Sequence, residues 1–306
     1  IGGVLIDSIK AFVPGHITGI FEIHDQSADP LLQGSRGAGV SIERGVRTTV
    51  TIEKSDKPQH EIKINGESLK SAMVSERVLQ SFLSLSKKNY RILIEHDIRV
   101  PIGSGFGSSG ASALSLALAL NKGLELDFSR IKVAQIAHMA EIHCKTGLGT
   151  VIGETYGGVE IRVKPGAPGI GVLKHIPIKN HVVVCLHFGP IYTTNVLSDK
   201  RIRQRINELG GKLVDKLISQ PNSCNFMKFS REFAEHVGLI SGRMREVLRD
   251  TDKIGLTCSM MMLGESIFSI VKRSRIDELR EIFNKYTSSK ESIIVSEIDY
   301  KGARLL

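Results

Sequence analysis

The 306-residue sequence contains no tryptophan and five tyrosines, and its four cysteines are scattered without a Cys-x-x-Cys pair. Because aromatic side chains interleaved with basic ones are typical of nucleic-acid surfaces, their scarcity disfavours nucleic-acid binding despite the net charge of +9. The basic runs at 200–205 and 272–275 are better explained as solvated helix faces. Unpaired cysteine spacing excludes a disulfide framework and a zinc ribbon, and it favours a reducing compartment, which we expect to be the cytoplasm.

Long apolar segments are also missing. No apolar run approaches the roughly 20 residues that span a bilayer, and the first residues lack the charged-then-apolar pattern of an export signal. The ten histidines show no spacing typical of metal ligands. The composition, 41% hydrophobic and 24% charged, is that of an ordinary globular protein long enough for two domains with a shared core.

The most informative stretch is 101–110, Pro-Ile-Gly-Ser-Gly-Phe-Gly-Ser-Ser-Gly, which precedes an alanine-rich helical pattern. Glycines let the backbone turn several N–H groups toward one point, and the following helix adds its own free N–H groups and the positive end of its dipole. The preceding segment, 91–100, has the pattern of a strand. A glycine turn that only packs is the plain alternative. This order predicts a phosphate-binding loop formed by Pro101, Gly103, Ser104, Gly105, Gly107, Ser108, Ser109 and Gly110.

Three motif families could account for this loop. A Walker loop is excluded because it needs Gly-Lys-Ser/Thr and no lysine occurs between Arg99 and Lys122. Gly105, Gly107 and Gly110 match the dinucleotide fingerprint, but a long segment precedes them and no second βαβ unit follows clearly, so a nicotinamide- or flavin-dependent oxidoreductase is the weakest alternative. The pattern Pro-x-Gly-x-Gly-x-Gly-Ser-Ser-Gly-Ala resembles the phosphate loop of the GHMP kinase superfamily, in which a serine hydroxyl can help to hold Mg²⁺ beside the phosphates.

The remaining patterns mix helix and strand irregularly, which favours an α+β fold over a doubly wound sheet. We expect an N-terminal domain over 1–175 and a C-terminal α+β domain over 176–306. The expected elements are a strand over 8–23 interrupted at Pro14-Gly15, a glycine turn or anion-facing segment at 34–40, a strand over 45–54, helices over 71–85 and 129–141, a glycine turn over 144–151, strand and loop over 155–173, a strand over 181–188, helices across 196–250 with breaks at 210–211 and 221, and a helix over 276–287 followed by a strand over 291–298.

Three separated parts of the chain resemble archaeal pantoate kinases, a family within the GHMP superfamily. They are 14–19 with 29–30 and 34–39, then 101–111, then 141–158 with 161–166. The resemblance implies a two-domain GHMP kinase-like fold with the active-site cleft between the domains. It also implies ATP-dependent phosphorylation of the 4-hydroxyl of pantoate to 4-phosphopantoate in archaeal coenzyme A biosynthesis. The implied ligands are pantoate, ATP and Mg²⁺, with no nucleic acid and no membrane, and a homodimer is open.

Carried over by position, the metal ligands are Glu141 and Ser109, or its neighbour Ser108. Mg²⁺ takes few protein oxygens beside phosphates and waters, so one hydroxyl and one carboxylate suffice. From the residues alone, Glu141 could equally be a solvated carboxylate at a helix end. The segment 260–264 falls where the superfamily has a third glycine-bearing motif, and core packing is the other interpretation of its methionines.

Pantoate is an anionic polyol, which needs a guanidinium for its carboxylate and polar partners for its hydroxyls. An arginine on a strand is more often a surface residue, which is the plain alternative here. The candidates are His16, Thr18, Arg36 and Arg162.

The chain departs from the family pattern at one position. Where that pattern has Thr-Gly-Leu-Gly-Asp-Val, this chain has Thr150 in place of the Asp that would orient or deprotonate the attacking hydroxyl. Loss of a general base costs roughly 10²–10⁴ in rate, yet phosphoryl transfer depends mainly on positioning and charge neutralisation. Three hypotheses remain: a pantoate kinase without this carboxylate, a kinase of another small hydroxy acid or alcohol, and a nucleotide-binding pseudo-kinase. Glu154 is a conceivable substitute base.

Overall fold

The computed structural model describes residues 8–69, 71–86, 88–191 and 193–306, with backbone alone at 193–195 and 290. The strands are β1 (Ile9–His24), β2 (Gly34–Lys54), β3 (Gln59–Ile64), β4 (Glu67–Ser68), β5 (Tyr90–Ile98), β6 (Val159–Lys164), β7 (Val172–His175), β8 (His181–Pro190), β9 (Ser259–Met260), β10 (Gly264–Lys272), β11 (Ile293–Ser296) and β12 (Arg304–Leu305). The helices are α1 (Met73–Leu83), α2 (Ser108–Gly123), α3 (Arg130–Cys144), α4 (Thr150–Tyr156), α5 (Thr193–Ser198), α6 (Lys200–Ser219), α7 (Ser223–Val237), α8 (Gly242–Lys253) and α9 (Ile276–Asn284), with short 3₁₀ turns at Arg273–Arg275 and Lys290–Ser292.

The strands form two sheets. The larger has the order β12-β1-β2-β5-β3-β4, and β6, with β7 outside it, pairs with the part of β2 that β5 does not reach. The neighbouring strands of this sheet are antiparallel, except that β3 and β5 pair with each other in parallel. The smaller sheet has the order β11-β8-β10-β9 and is antiparallel. The predicted α+β class is confirmed, and this topology is not the parallel sheet of a dinucleotide-binding fold.

Helix α2 is buried between the larger sheet and its neighbours α1 and α3. Its residues from Gly110 to Leu120 are all buried, which explains the alanine-rich composition, because small side chains let a helix lie close to packing partners on every side. This buried helix is the rigid element behind the loop at 101–107. The predicted order of strand, glycine loop and helix is therefore confirmed, with β5 before the loop and α2 after it.

A second apolar core joins the other end of the larger sheet to the smaller sheet and to α6–α9. Phe21 of β1 contacts Phe233 of α7 edge to face, with ring centroids 5.7 Å apart. The predicted boundary at 175/176 falls between β7 and β8, and after β11 the chain returns so that β12 pairs with β1. Among the described residues, none of the helices has the length and apolar character to cross a bilayer.

Three local expectations were wrong. Pro14 and Gly15 do not interrupt β1 but form a bulge within one continuous strand. Residues 34–40 are not a turn but the first part of β2. Gly210 and Gly211 do not break a helix but lie within α6. The glycine at 210 lets α6 lie close to β1, because a Cβ there would be 2.1 Å from the Phe21 carbonyl oxygen.

A fourth error bears on function. The segment 150–156, expected to continue a glycine turn into a strand, is helix α4. The predicted break at Pro221 is right, because α6 ends at Ser219 and α7 begins at Ser223. At the start of α3 the Ser129 hydroxyl accepts a hydrogen bond from Lys132 N at 3.2 Å.

Candidate active site

A cavity of about 300 Å³ lies between the two sheets, at the start of α2. One wall is the glycine loop, and the other walls come from β1, β2, β6, the segment 146–150 and the turn between β9 and β10. Of the residues predicted to bind phosphate, those that line the cavity are Gly103, Gly105, Gly107, Ser108, Ser109 and Gly110. Ser104 is buried and does not line the cavity, and Pro101 is also not among its lining residues.

The loop has the backbone conformation that its glycines predict. Gly103, Gly105 and Gly107 have φ values of 72°, 88° and 66°, in the left-handed region that favours glycine. Gly107 immediately precedes α2, whose first N–H groups have no carbonyl partner within the helix. These groups and the helix dipole make the loop a site for an anion.

The turn between β9 and β10 supports this loop from the other half of the chain. A Cβ at Gly264 would lie 2.1 Å from the carbonyl carbon and oxygen of Ser104, so the glycine permits direct backbone contact. Met260 and Met261 are fully buried, whereas Met262 and Leu263 line the cavity. The methionines therefore pack in the core, and the turn also forms part of the site.

The predicted metal pair is brought together. The Ser109 hydroxyl donates to Glu141 Oε1 at 2.5 Å, and the Thr146 hydroxyl donates to the same oxygen at 2.7 Å. Glu141 is 2% exposed; burial raises its pKa, although both hydrogen bonds act to lower it. A carboxylate and a hydroxyl at the end of a phosphate loop are the hard oxygen donors that Mg²⁺ prefers, so these residues fit that ion.

Three buried polar side chains, His16, Glu160 and Arg162, form a triad beside the cavity, which His16 and Arg162 line. His16 Nε2 donates to Glu160 Oε1 at 2.8 Å, and Arg162 Nη1 donates to the same oxygen at 2.5 Å. Burial by itself raises the pKa of Glu160, but the His16 ring and the Arg162 guanidinium outweigh it and hold this pKa below its ordinary value. Thr18 Oγ1 lies 3.4 Å from His16 Nδ1 and also lines the cavity.

The Arg162 guanidinium has one N–H group without a hydrogen-bond partner among the described residues. This group is the buried Nε. A Cβ at Gly149 would lie 3.3 Å from this Nε and 2.1 Å from Ser35 Oγ, so the guanidinium and the Ser35 hydroxyl face the same glycine. Both residues line the cavity, and together they form a place for an anionic group.

Arg36 does not line the cavity. Its Nε donates to the Val163 carbonyl at 2.9 Å, and its guanidinium pairs with Glu22 and with Asp215 of α6. These contacts connect the larger sheet to α6.

Thr150 lines the cavity as the first residue of α4, and Glu154 lies one turn later on the same helix. Glu154 is fully buried and is not a lining residue. Glu160 and Ser35 also belong to the site and were missed from the sequence. The alternation Glu-Ile-Arg at 160–162 was the available signal, because residues two apart on a strand share a face.

Comparison with known proteins gives one consistent result. A family model for the GHMP kinases N terminal domain matches residues 72–158. The chain is 33% identical over 287 residues to the pantoate kinase of Thermococcus kodakarensis, which covers 90% of this chain and 92% of that relative. It is 34% identical over 272 residues to the pantoate kinase of Methanocaldococcus jannaschii, covering 89% and 96%.

Solved structures agree with the sequence relatives. A protein described as a phosphotransferase related to the CoA biosynthesis pathway has a TM-score of 0.87 and 31% identity, with 98% of each chain covered. A homoserine kinase from Cytophaga hutchinsonii shares the fold, with a TM-score of 0.68 and 20% identity over 98% of each chain. From these relatives and the phosphate loop, the chain belongs to the pantoate kinase family of the GHMP kinases and is a small-molecule kinase.

Proposed function

We propose that the protein transfers the γ-phosphoryl group of ATP to the 4-hydroxyl of pantoate, forming 4-phosphopantoate for coenzyme A biosynthesis. The observation that carries the proposal is a single cavity that joins the glycine loop to the buried Arg162 guanidinium. A loop with free N–H groups suits phosphates, and an available guanidinium N–H suits a carboxylate. The cavity therefore offers separate subsites for the nucleotide and for a hydroxy acid.

In this proposal the triphosphate lies along 103–110, with the backbone N–H groups at the start of α2 directed at its oxygens. Ser109 and Glu141 are the residues that hold Mg²⁺. When bound, this ion neutralises charge on the phosphate oxygens and orients them. The turn at Gly264 keeps the loop from moving away as charge develops, because its backbone contacts Ser104 directly.

The acceptor lies against the triad. Arg162 and Ser35 bind the carboxylate, while His16 and Thr18 are the polar partners for the hydroxyls. Phe21 forms an apolar part of the same wall, which suits the carbon of pantoate that bears two methyl groups. The acceptor hydroxyl is thereby directed toward the end of the phosphate loop.

In the transfer itself, the acceptor oxygen bonds to the γ-phosphorus as the bond to the β,γ-bridging oxygen breaks. The hydroxyl proton leaves late, because the transition state is largely dissociative and little nucleophilic push is needed. It passes to an oxygen of the transferred phosphoryl group and from there to water. Thr150 lines the cavity where its hydroxyl can accept a hydrogen bond from the attacking hydroxyl. Orientation of the acceptor, rather than proton abstraction, is the role proposed for Thr150.

The test is ADP release from ATP and Mg²⁺ with pantoate, homoserine or mevalonate, with the product identified by mass. We expect strong stimulation by pantoate alone. Stimulation only by another acceptor would replace pantoate with that substrate class. ATP binding without ADP release for any acceptor would indicate a pseudo-kinase.

The cytoplasm remains the proposed location. Cys144, Cys185, Cys224 and Cys258 are all free thiols, which suits a reducing compartment. Light scattering of the same preparation tests whether the protein is a homodimer, which the sequence leaves open.

A further inference from the structure

Glu154 is a buried carboxyl group that the mechanism above does not use. It is 0% exposed, and neither of its side-chain oxygens has a hydrogen-bond partner among the described residues. Buried polar groups in native proteins are almost always hydrogen-bonded, because an unpaired one loses its hydration without compensation. An unpartnered carboxyl therefore calls for a functional explanation.

The position of Glu154 is defined by the glycines it contacts. A Cβ at Gly107 would lie 2.7 Å from Glu154 Oε1, and a Cβ at Gly110 would lie 2.8 Å from Glu154 Oε2. The same point at Gly110 lies 2.7 Å from Thr150 Oγ1. The carboxyl thus lies against the first turn of α2, and the Thr150 hydroxyl lies against the same point of Gly110, with no hydrogen bond between the two side chains. The two residues are four positions apart on α4, so they share one face of that helix.

We propose that Glu154 is a positioning residue for phosphoryl transfer, accepting the hydroxyl proton of Thr150 in a hydrogen bond when the substrates are bound. The inference rests on the function proposed above and explains how Thr150 can stand where the family pattern has Asp. Hydrogen bonds of this kind are often long or unformed in unliganded enzymes and tighten with substrate.

The physical advantage comes from the direction of one proton. A threonine hydroxyl has one donor and two lone pairs, and it rotates freely unless a partner fixes it. If its proton pointed into the cavity, Thr150 would donate to the acceptor oxygen and weaken the nucleophile. With that proton held by Glu154, Thr150 Oγ1 presents only lone pairs to the attacking hydroxyl, as an aspartate would.

This role is available in either charge state of the carboxyl. Burial, with Glu141 and Glu160 adding repulsion, raises the pKa of Glu154 well above its ordinary value. A neutral carboxyl still accepts through its carbonyl oxygen, and a carboxylate accepts through either oxygen.

The test compares Glu154→Gln with Glu154→Met in the pantoate-dependent assay. The amide oxygen of Gln can accept the same hydrogen bond, whereas Met fills a similar volume with no acceptor. We expect Glu154→Gln to retain most of kcat and Glu154→Met to lose roughly 10²-fold in kcat, the usual cost of a misplaced catalytic group, with little change in KM for ATP. Wild-type kcat in Glu154→Met, or an equal loss in both variants, would overturn the inference.

A double-mutant cycle with Thr150→Val removes the remaining ambiguity. If Glu154 acts through the threonine hydroxyl, Thr150→Val loses a similar factor in kcat, the double variant loses no more, and Thr150→Ser recovers activity. Additive losses would overturn the inference, and so would wild-type kcat in Thr150→Val, which keeps the test valid if Glu154→Met does not fold. A wild-type protein without pantoate-dependent turnover would instead refute the proposed function.

Discussion

Replacing Arg162 by methionine tests the acceptor subsite, because this side chain both neutralises the buried Glu160 and is proposed to bind the pantoate carboxylate. The side chain is 1% exposed, its guanidinium contacts Glu160 at 2.5 Å, and its Nε has no hydrogen-bond partner among the described residues. Methionine keeps much of the apolar volume and removes the charge. We expect the variant to lose both pantoate affinity and stability.

The two losses have different sizes. A hydrogen bond between charged groups contributes about 1.5–3 kcal/mol, so KM for pantoate should rise about 10- to 150-fold while KM for ATP changes little. Removing one partner of a buried ion pair costs about 3–5 kcal/mol, since among the described residues Glu160 would keep His16 as its one side-chain partner. That is a large part of the roughly 5–15 kcal/mol of a typical domain.

A second substitution separates the effects. In Glu160→Gln/Arg162→Met the uncompensated charge is gone, so urea unfolding should return most of the lost free energy, whereas KM for pantoate should stay high. Arg36→Met is the matched control, because Arg36 is the neighbour of Gly37, which pairs with Arg162, but lies outside the cavity, and we expect its KM for pantoate to stay near that of the wild type.

The outcomes are decisive in steady-state kinetics. If the double variant regained both stability and the wild-type KM, Arg162 would be structural only. An equal rise in KM for Arg36→Met would place the carboxylate subsite elsewhere.

Three further predictions concern the loop and its surroundings. Gly110→Ala should lower kcat and reduce the free energy of unfolding in urea by about 1–3 kcal/mol, since its Cβ would lie 2.8 Å from Glu154 Oε2. Gly242→Ala is the control, because a Cβ there has nothing within 4 Å and should be neutral or stabilising. Equal effects of the two substitutions would contradict this account. Ser109→Ala should lose roughly 10²-fold in kcat and need more Mg²⁺ for half-maximal activity. Ser108→Ala should have a much smaller effect on both quantities. A larger effect for Ser108→Ala than for Ser109→Ala would assign the metal ligand to Ser108 instead. The pKa of Glu154 is raised in the folded state, so the native state keeps a proton that the unfolded chain releases above its ordinary pKa of about 4.3. The free energy of unfolding of the wild type should therefore fall relative to that of Glu154→Gln as the pH rises toward the folded pKa. A difference between the two proteins that is equal at pH 5 and pH 8 would refute this.

The phosphate loop could be predicted because its signal is local. Gly103, Gly105 and Gly107 adopt positive φ, and a buried alanine-rich helix follows directly, so the residues that form the loop are adjacent in the chain. Helix α4 could not be predicted in this way. Its β-branched residues and Gly153 have low helix propensity, and burial of the segment from Val151 to Thr155 stabilises it instead.

The two arginines show why strand register decides function. Arg36 lies opposite Glu22, whereas Arg162 lies opposite Gly37, the neighbour of Arg36. Adjacent residues of a strand point to opposite faces, so Arg162 faces the cavity and Arg36 faces away. The sequence offered two arginines near glycines, and only the pairing of β2 with β6 distinguishes them.

The same pairing explains the glycines that suggested a turn. A Cβ at Gly37 would lie 2.4 Å from Arg162 Nη2, and a Cβ at Gly39 would lie 2.5 Å from the His16 ring. Glycine occurs in strands where another group approaches closely as well as in turns, and the approaching groups here are distant in sequence.

The return of the chain to β1 has a consequence for biosynthesis. Ala303 N donates to the Glu154 carbonyl at 2.9 Å, and a Cβ at Gly302 would lie 2.3 Å from the Thr155 carbonyl oxygen, so the segment after β11 contacts α4 directly. A ribosome releases this segment only after β1 to β11 have been synthesised. Helix α4, which carries Thr150, therefore gains this support late in synthesis, and a nascent or truncated chain lacking residues 299–306 has its nucleotide loop but not these contacts to α4.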